Sequence, residues 1–114
     1  MTEKIEIESE ETMHYENSFG VLPNSTNTVT MVTRFSINED THYGSFEWFD
    51  KGGNDRYYAE GGLWFNDDMV LTDFDGIFDL PPDLIKYLYD NNHLDDRYVK
   101  MWVKDGRLKI DGEI

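Results

Sequence analysis

The chain contains no cysteine. That excludes disulfides, thiolate metal sites and a cysteine nucleophile. It fits a reducing compartment, and a cytoplasmic protein is expected. No apolar run approaches the roughly 20 residues of a membrane-spanning helix. The opening residues, Met1-Thr2-Glu3-Lys4-Ile5-Glu6, lack the basic and apolar regions of a secretory signal. Without a secretory route, the Asn24-Ser25-Thr26 sequon reads as chance. Positive charge is also scarce. Ten Lys and Arg face 24 Asp and Glu, for a net charge of −14. Nucleic acid and anionic membranes both call for a basic footprint, so direct binding to either is not expected.

What is present is enough for one domain and one core. The 114 residues suit a single domain spanning 1–114. Apolar residues are 39 % of the chain and aromatics 15 %. Three Trp, seven Tyr and seven Phe each bring a large area to bury. An ordered, aromatic-rich core is expected despite the charge.

Periodicity points to strands. Residues 3–8 alternate charged and apolar, with Ile5 and Ile7 on one side and Glu6 and Glu8 on the other. This is a half-buried strand, or part of an acidic arm over residues 1–18. Thr28 to Ile37 is the clearest strand. Val29, Met31, Thr33, Phe35 and Ile37 form one face, and the β-branched content agrees. Tyr43 to Asp50 is the next, with Phe46 and Trp48 on one side. Lys51-Gly52-Gly53-Asn54 is a hairpin loop, and Arg56 to Phe65 returns. Gly61-Gly62 inside that strand implies a bulge or a close backbone approach. Met69 to Thr72 is a short strand, and Asp73-Phe74-Asp75-Gly76 is a turn.

Pro81-Pro82-Asp83 then opens a helix near 82–92. Proline suits a first turn and Asp83 suits the helix dipole there. Leu84, Ile85 and Leu88 form its buried stripe, and Asn91-Asn92 end it. Tyr98 to Lys104 alternates again, and Asp105-Gly106 is a strong hairpin signal. The predicted fold is β-rich α+β. It is a mainly antiparallel meander of six or seven strands, curved or partly closed, with one short helix and a C-terminal β-hairpin.

Catalytic patterns are absent. His14, His42 and His93 occupy unrelated segments, with no second histidine at ligand spacing. No Gly-x-Ser-x-Gly turn occurs. Carboxylate pairs are uninformative among so many acids. Gly52-Gly53 and Gly61-Gly62 are not followed by a phosphate-binding helix start. No cofactor is expected. The cluster Asp67, Asp68, Asp73, Asp75 and Asp79 partly resembles an EF-hand loop. Setting Gly76 at the loop's sixth position puts Leu71 at the first ligand and Pro82 at the last, so the pattern fails at both ends. Calcium held by Asp73, Asp75 and Asp79 in another geometry is kept as a third reading.

The charge is uneven. Arg97 to Lys109 holds five basic residues and one acid, Asp105, and nearly all the negative charge lies elsewhere. Self-repulsion of this size costs stability. A cationic partner would offset it. The leading expectation is therefore a non-enzymatic acidic protein that binds a basic protein surface. Such a face can imitate the phosphate spacing of DNA and occupy the groove of a nucleic-acid-binding protein. Small acidic inhibitors from phages and mobile elements offer a class-level analogy. Glu47, Asp50, Asp55, Glu60, Asp67 and Asp68 would supply the charge, with Trp64 or Tyr58 as anchor. The second expectation is a small enzyme or ligand-binding barrel using His42, Tyr43, Arg56 and Trp64.

Overall fold

The structure, a computed structural model, describes residues 2–15, 25–52, 59–76 and 80–110. Five strands come first: β1 (Thr2–Tyr15), β2 (Ser25–Asn38), β3 (Tyr43–Asp50), β4 (Ala59–Phe65) and β5 (Leu71–Gly76). Two helices follow, α1 (Pro82–Asp90) and α2 (Asp96–Lys104). The strands form one antiparallel sheet in the order β1-β2-β3-β4-β5. It is a meander, as the short connections require. Among the described residues the strand count is five, below the expected six or seven. The sheet is open, with β1 and β5 as its edges.

The alternation of β2 and β3 decides which face is covered. Phe35, Ile37, Phe46, Leu63, Phe65 and Leu71 point to one side and are buried there. Ile5 and Ile7 of β1 pack against the same cluster. The helices close this side with Leu84, Ile85, Leu88 and Trp102, all fully buried. Each such side chain contributes about 2 kcal/mol on leaving water. Helix α1 begins as its sequence implies. Pro82 is in its first turn, where no backbone donor is lost. Asp83 in that turn accepts a hydrogen bond from the Ser9 hydroxyl at 2.8 Å, which ties α1 to β1. Asn91 caps the C-terminus, and Asn92 takes φ 62°. No helix among the described residues is long and apolar enough to cross a membrane.

The C-terminal hairpin is not formed; those residues are α2. The alternation of Val99, Met101 and Val103 coexists with a helical stripe, in which Leu94, Tyr98 and Trp102 recur every four residues. Capping decides between the two. The Asp95 carboxylate accepts from the Tyr98 N–H at 3.0 Å and starts the helix. Gly106 at φ 77° ends it. Its N–H reaches the Val103 carbonyl at 3.1 Å, and the Arg107 N–H reaches that of Trp102 at 2.9 Å. These two bonds define a Schellman motif. Asp105-Gly106 is thus a helix stop and not a hairpin turn. Trp102 then stacks on Tyr98, with centroids 5.1 Å apart, and meets Phe74 of β5 at 5.7 Å. The Arg107 guanidinium donates to the Leu80 carbonyl and holds the following segment, from which Leu108 is buried in the core.

Asp73-Phe74-Asp75-Gly76 is also not a turn. It is the body of β5, because Phe74 needs the apolar side while Asp73 and Asp75 need water. The real turn is Asn66 to Val70. The Asn66 side-chain oxygen accepts from the N–H groups of Asp68 and Val70 at 2.9 and 3.1 Å, and Met69 takes φ 59°. The strand therefore starts at Leu71, later than Met69. The β-bulge falls between Trp64 and Phe65, not at Gly61-Gly62. Those glycines answer instead to close approach.

Two substitutions test this account. Thr33 is fully buried and its hydroxyl has no hydrogen-bond partner among the described residues. Thr33→Val keeps the β-branch and removes the orphan, so urea unfolding should show a gain of about 1 kcal/mol. Gly106→Ala meets open space but keeps the positive φ. It should cost about 1 kcal/mol by the same measurement, with helical circular dichroism at 222 nm weakened first.

Candidate functional site

Among the described residues both helices lie on one side of the sheet, and the other side carries most of the charged positions, although Val32 is buried there beside Phe49. The register fixes what it displays. From β1 come Lys4, Glu6, Glu8 and Glu10; from β2, Arg34 and Ser36. From β3 come Tyr43, Ser45 and Glu47. From β4 come Glu60, Gly62 and Trp64, and from β5 Asp73 and Asp75. Seven carboxylates therefore share this face with Lys4 and Arg34, and with Lys51 just beyond β3. Part of it is a hollow of about 940 Å³ with four of those carboxylates, Lys4 and Arg34 around it.

Its rows are cross-strand ladders. One row runs Glu6, Arg34, Glu47, Glu60 across four strands. Arg34 donates to Glu6 at 2.8 Å and to Glu47 at 3.3 Å. Its guanidinium also lies 5.1 Å from the centre of the Phe49 ring. The Glu6 hydrogen bond is the main reason that the Arg34 pKa rises above its usual value, with the Glu6 and Glu47 charges adding to it. One cation on β2 thus stands between the carboxylates of β1 and β3, while Glu47 and Glu60 face each other directly across β3 and β4. A second row runs Lys4, Ser36, Ser45, Gly62, Asp75, in which the two serine hydroxyls lie 3.3 Å apart. At the edge, Lys51 reaches Glu8 at 2.9 Å.

The third row, Tyr43, Trp64, Asp73, carries the aromatic pair. Tyr43 and Trp64 are 44 % and 39 % exposed, unusual for rings of this size. They meet edge to face at 5.5 Å. Gly62 makes room for them. A methyl group there would stand 3.0 Å from both the Trp64 ring tip and the Tyr43 hydroxyl. Gly61 has a different task. A side chain there would overlap the Asp75 carbonyl, so β5 can pair with β4 only if this position is glycine.

The expected partner-binding residues divide. Glu47 and Glu60 are direct cross-strand neighbours, and Trp64 lies two rows away on the same face. Asp50 is on the opposite face, buried, and its carboxylate accepts from the Gly52 N–H at 2.8 Å. It stabilises the turn after β3. Asp67 and Asp68 are exposed in the Asn66 turn, with Asp67 3.6 Å from His42. Asp55 lies outside the described residues, as do Tyr58 and Arg56. Of the expected metal ligands, Asp73 and Asp75 are on β5, while Asp79 lies outside the described residues. No group of three or more His, Asp and Glu side chains converges among the described residues. His93 instead packs on Phe65 and its ring bonds the Met69 carbonyl at 2.7 Å.

Sequence reading did not assign Glu6, Arg34 or Asp75 to this surface. The alternation of β1 held the signal for Glu6, and that of β2 held it for Arg34. For Asp75 the signal was masked by the turn-like composition around it. No family model, no curated protein and no solved structure matches this chain.

The two glycines make a paired test. Gly61→Ala should cost about 3 kcal/mol in urea unfolding, since a backbone carbonyl must move. Gly62→Ala should cost clearly less, because only ring tips give way, and should alter the Trp64 fluorescence. Equal costs would contradict the register described here.

Proposed function

We propose that this chain is a non-enzymatic acidic interaction protein whose open sheet face binds a basic surface on a partner protein. The best-fitting partner class is a nucleic-acid-binding protein. The carboxylates would stand where phosphates otherwise lie, as in DNA-mimic inhibitors from phages and mobile elements. The supporting observation is the gathering of seven carboxylates and an exposed Tyr43–Trp64 pair on the one face without helices. Side chains of alternate residues recur about every 6.6 Å along a strand, and strands lie about 4.8 Å apart. That density of negative charge suits a groove built for a phosphate backbone. The exposed aromatics supply the apolar anchor that charge alone lacks. The basic residues of α2, Arg97, Lys100 and Lys104, are exposed on the helix layer, away from this face.

The hollow also supports a second reading, a small-ligand site. Tyr43 would give it apolar surface, and Ser36 and Ser45 polar groups.

The test uses purified nucleic-acid-binding proteins from the same source. Binding to one of them should weaken steeply as salt rises from about 0.1 M to about 1 M, where the screening length falls from about 10 Å to about 3 Å. Excess duplex DNA should displace the chain. The triple variant Glu47→Gln, Glu60→Gln, Asp75→Asn should bind at least tenfold more weakly. Binding indifferent to salt, to DNA and to the triple variant would sink the proposal.

A further inference from the structure

We infer that the Tyr43–Trp64 pair, together with Asp75, forms a seat for one arginine side chain of the basic partner. This rests on the acidic-face reading and names the contact at its centre. The seat has three parts. Its wall is aromatic, with Trp64 and Tyr43 exposed and braced edge to face at 5.5 Å. Its base is the two ring tips, which close over buried Gly62 because no side chain stands there. Its counter-charge is Asp75, exposed and directly across from Gly62 on β5, with Asp73 likewise across from Trp64.

The chemistry selects the occupant. A guanidinium is flat and weakly hydrated, so it stacks on an indole face. It also presents paired donors to a carboxylate. An ammonium group is compact and strongly hydrated, and it makes neither contact as well. Charge complementarity points the same way. The hollow holds Glu6, Glu47, Glu60 and Asp75 against Lys4 and Arg34, and Arg34 is already bonded to two of those acids. Lys4 shares the row of Asp75 but sits on the far edge strand. Four strand spacings separate them, about 19 Å. That exceeds the screening length of about 8 Å at physiological salt, so Lys4 does not repel an arginine at Asp75.

The experiment compares labelled octa-arginine with octa-lysine on the full chain, by fluorescence anisotropy and by the Trp64 indole N–H resonance. Octa-arginine should bind about fivefold tighter and shift that resonance. Trp64→Ala and Asp75→Asn should each remove most of the difference, with little effect on octa-lysine. Glu10→Gln, at the far end of β1, should weaken both peptides slightly and alike. If Trp64→Ala fails to fold, Asp75→Asn and the wild-type resonance still decide. If both peptides bind alike and neither variant discriminates, the arginine seat is wrong and the acidic face stands. If neither peptide binds, both fall. A Trp64 shift with an oligosaccharide and none with octa-arginine would replace the arginine by a sugar.

Discussion

A five-stranded sheet has two faces, and the helices among the described residues cover only one. Everything else in the molecule answers to that shortage. The covered face takes Phe35, Phe46, Leu63 and Leu71 and seals them under Leu84, Leu88 and Trp102. The other face has no helix over it among the described residues, and many of its alternating positions are charged. Charging it with carboxylates alone would set like charges on adjacent strands against one another. Arg34 relieves this at the middle of the sheet by bonding Glu6 on one side and Glu47 on the other. The apolar side chains make the sheet possible, and this one guanidinium makes its acidic face tolerable.

Of the 24 acids, seven are on the face that the helices leave open. The basic stretch from Arg97 to Lys109 is carried by α2 and the segment after it, on the helix layer. Within the acidic face, Gly61 and Gly62 matter through what they leave out. One admits the edge strand, and the other leaves space for two aromatic rings.

Much of the frame was legible from residue patterns. β3 runs over the residues expected, and β2 contains the expected strand within longer bounds. Helix α1 follows from Pro81-Pro82-Asp83 and the Leu84, Ile85, Leu88 stripe. Two elements were misread, each for a definite reason. In 98–104 the two-residue and four-residue periods both fit, and only the Asp95 cap and the contact of Trp102 with Phe74 separate them. In 73–76 the composition is that of a turn, yet pairing with Gly61 to Trp64 makes it a strand. That second error hid part of the acidic face, because Asp73 and Asp75 join it only once they are seen on β5. Asp50 shows the reverse. It looked like surface charge, and its place on the covered side turned it to capping a turn.

By itself the sequence determined an acidic, β-rich chain with a helix after its meander, because composition and short-range periodicity act through neighbours along the chain. It also determined which side of each long strand would be apolar. Only the tertiary structure decided that Glu6, Arg34, Glu47 and Glu60 form one row, and that Tyr43, Trp64 and Asp75 surround one glycine. Those groupings depend on register between strands far apart in sequence, and register is set by the burial of the whole opposite face. The choice of helix over hairpin for 96–104 was tertiary as well, since that segment closes the core only as a helix that buries Trp102.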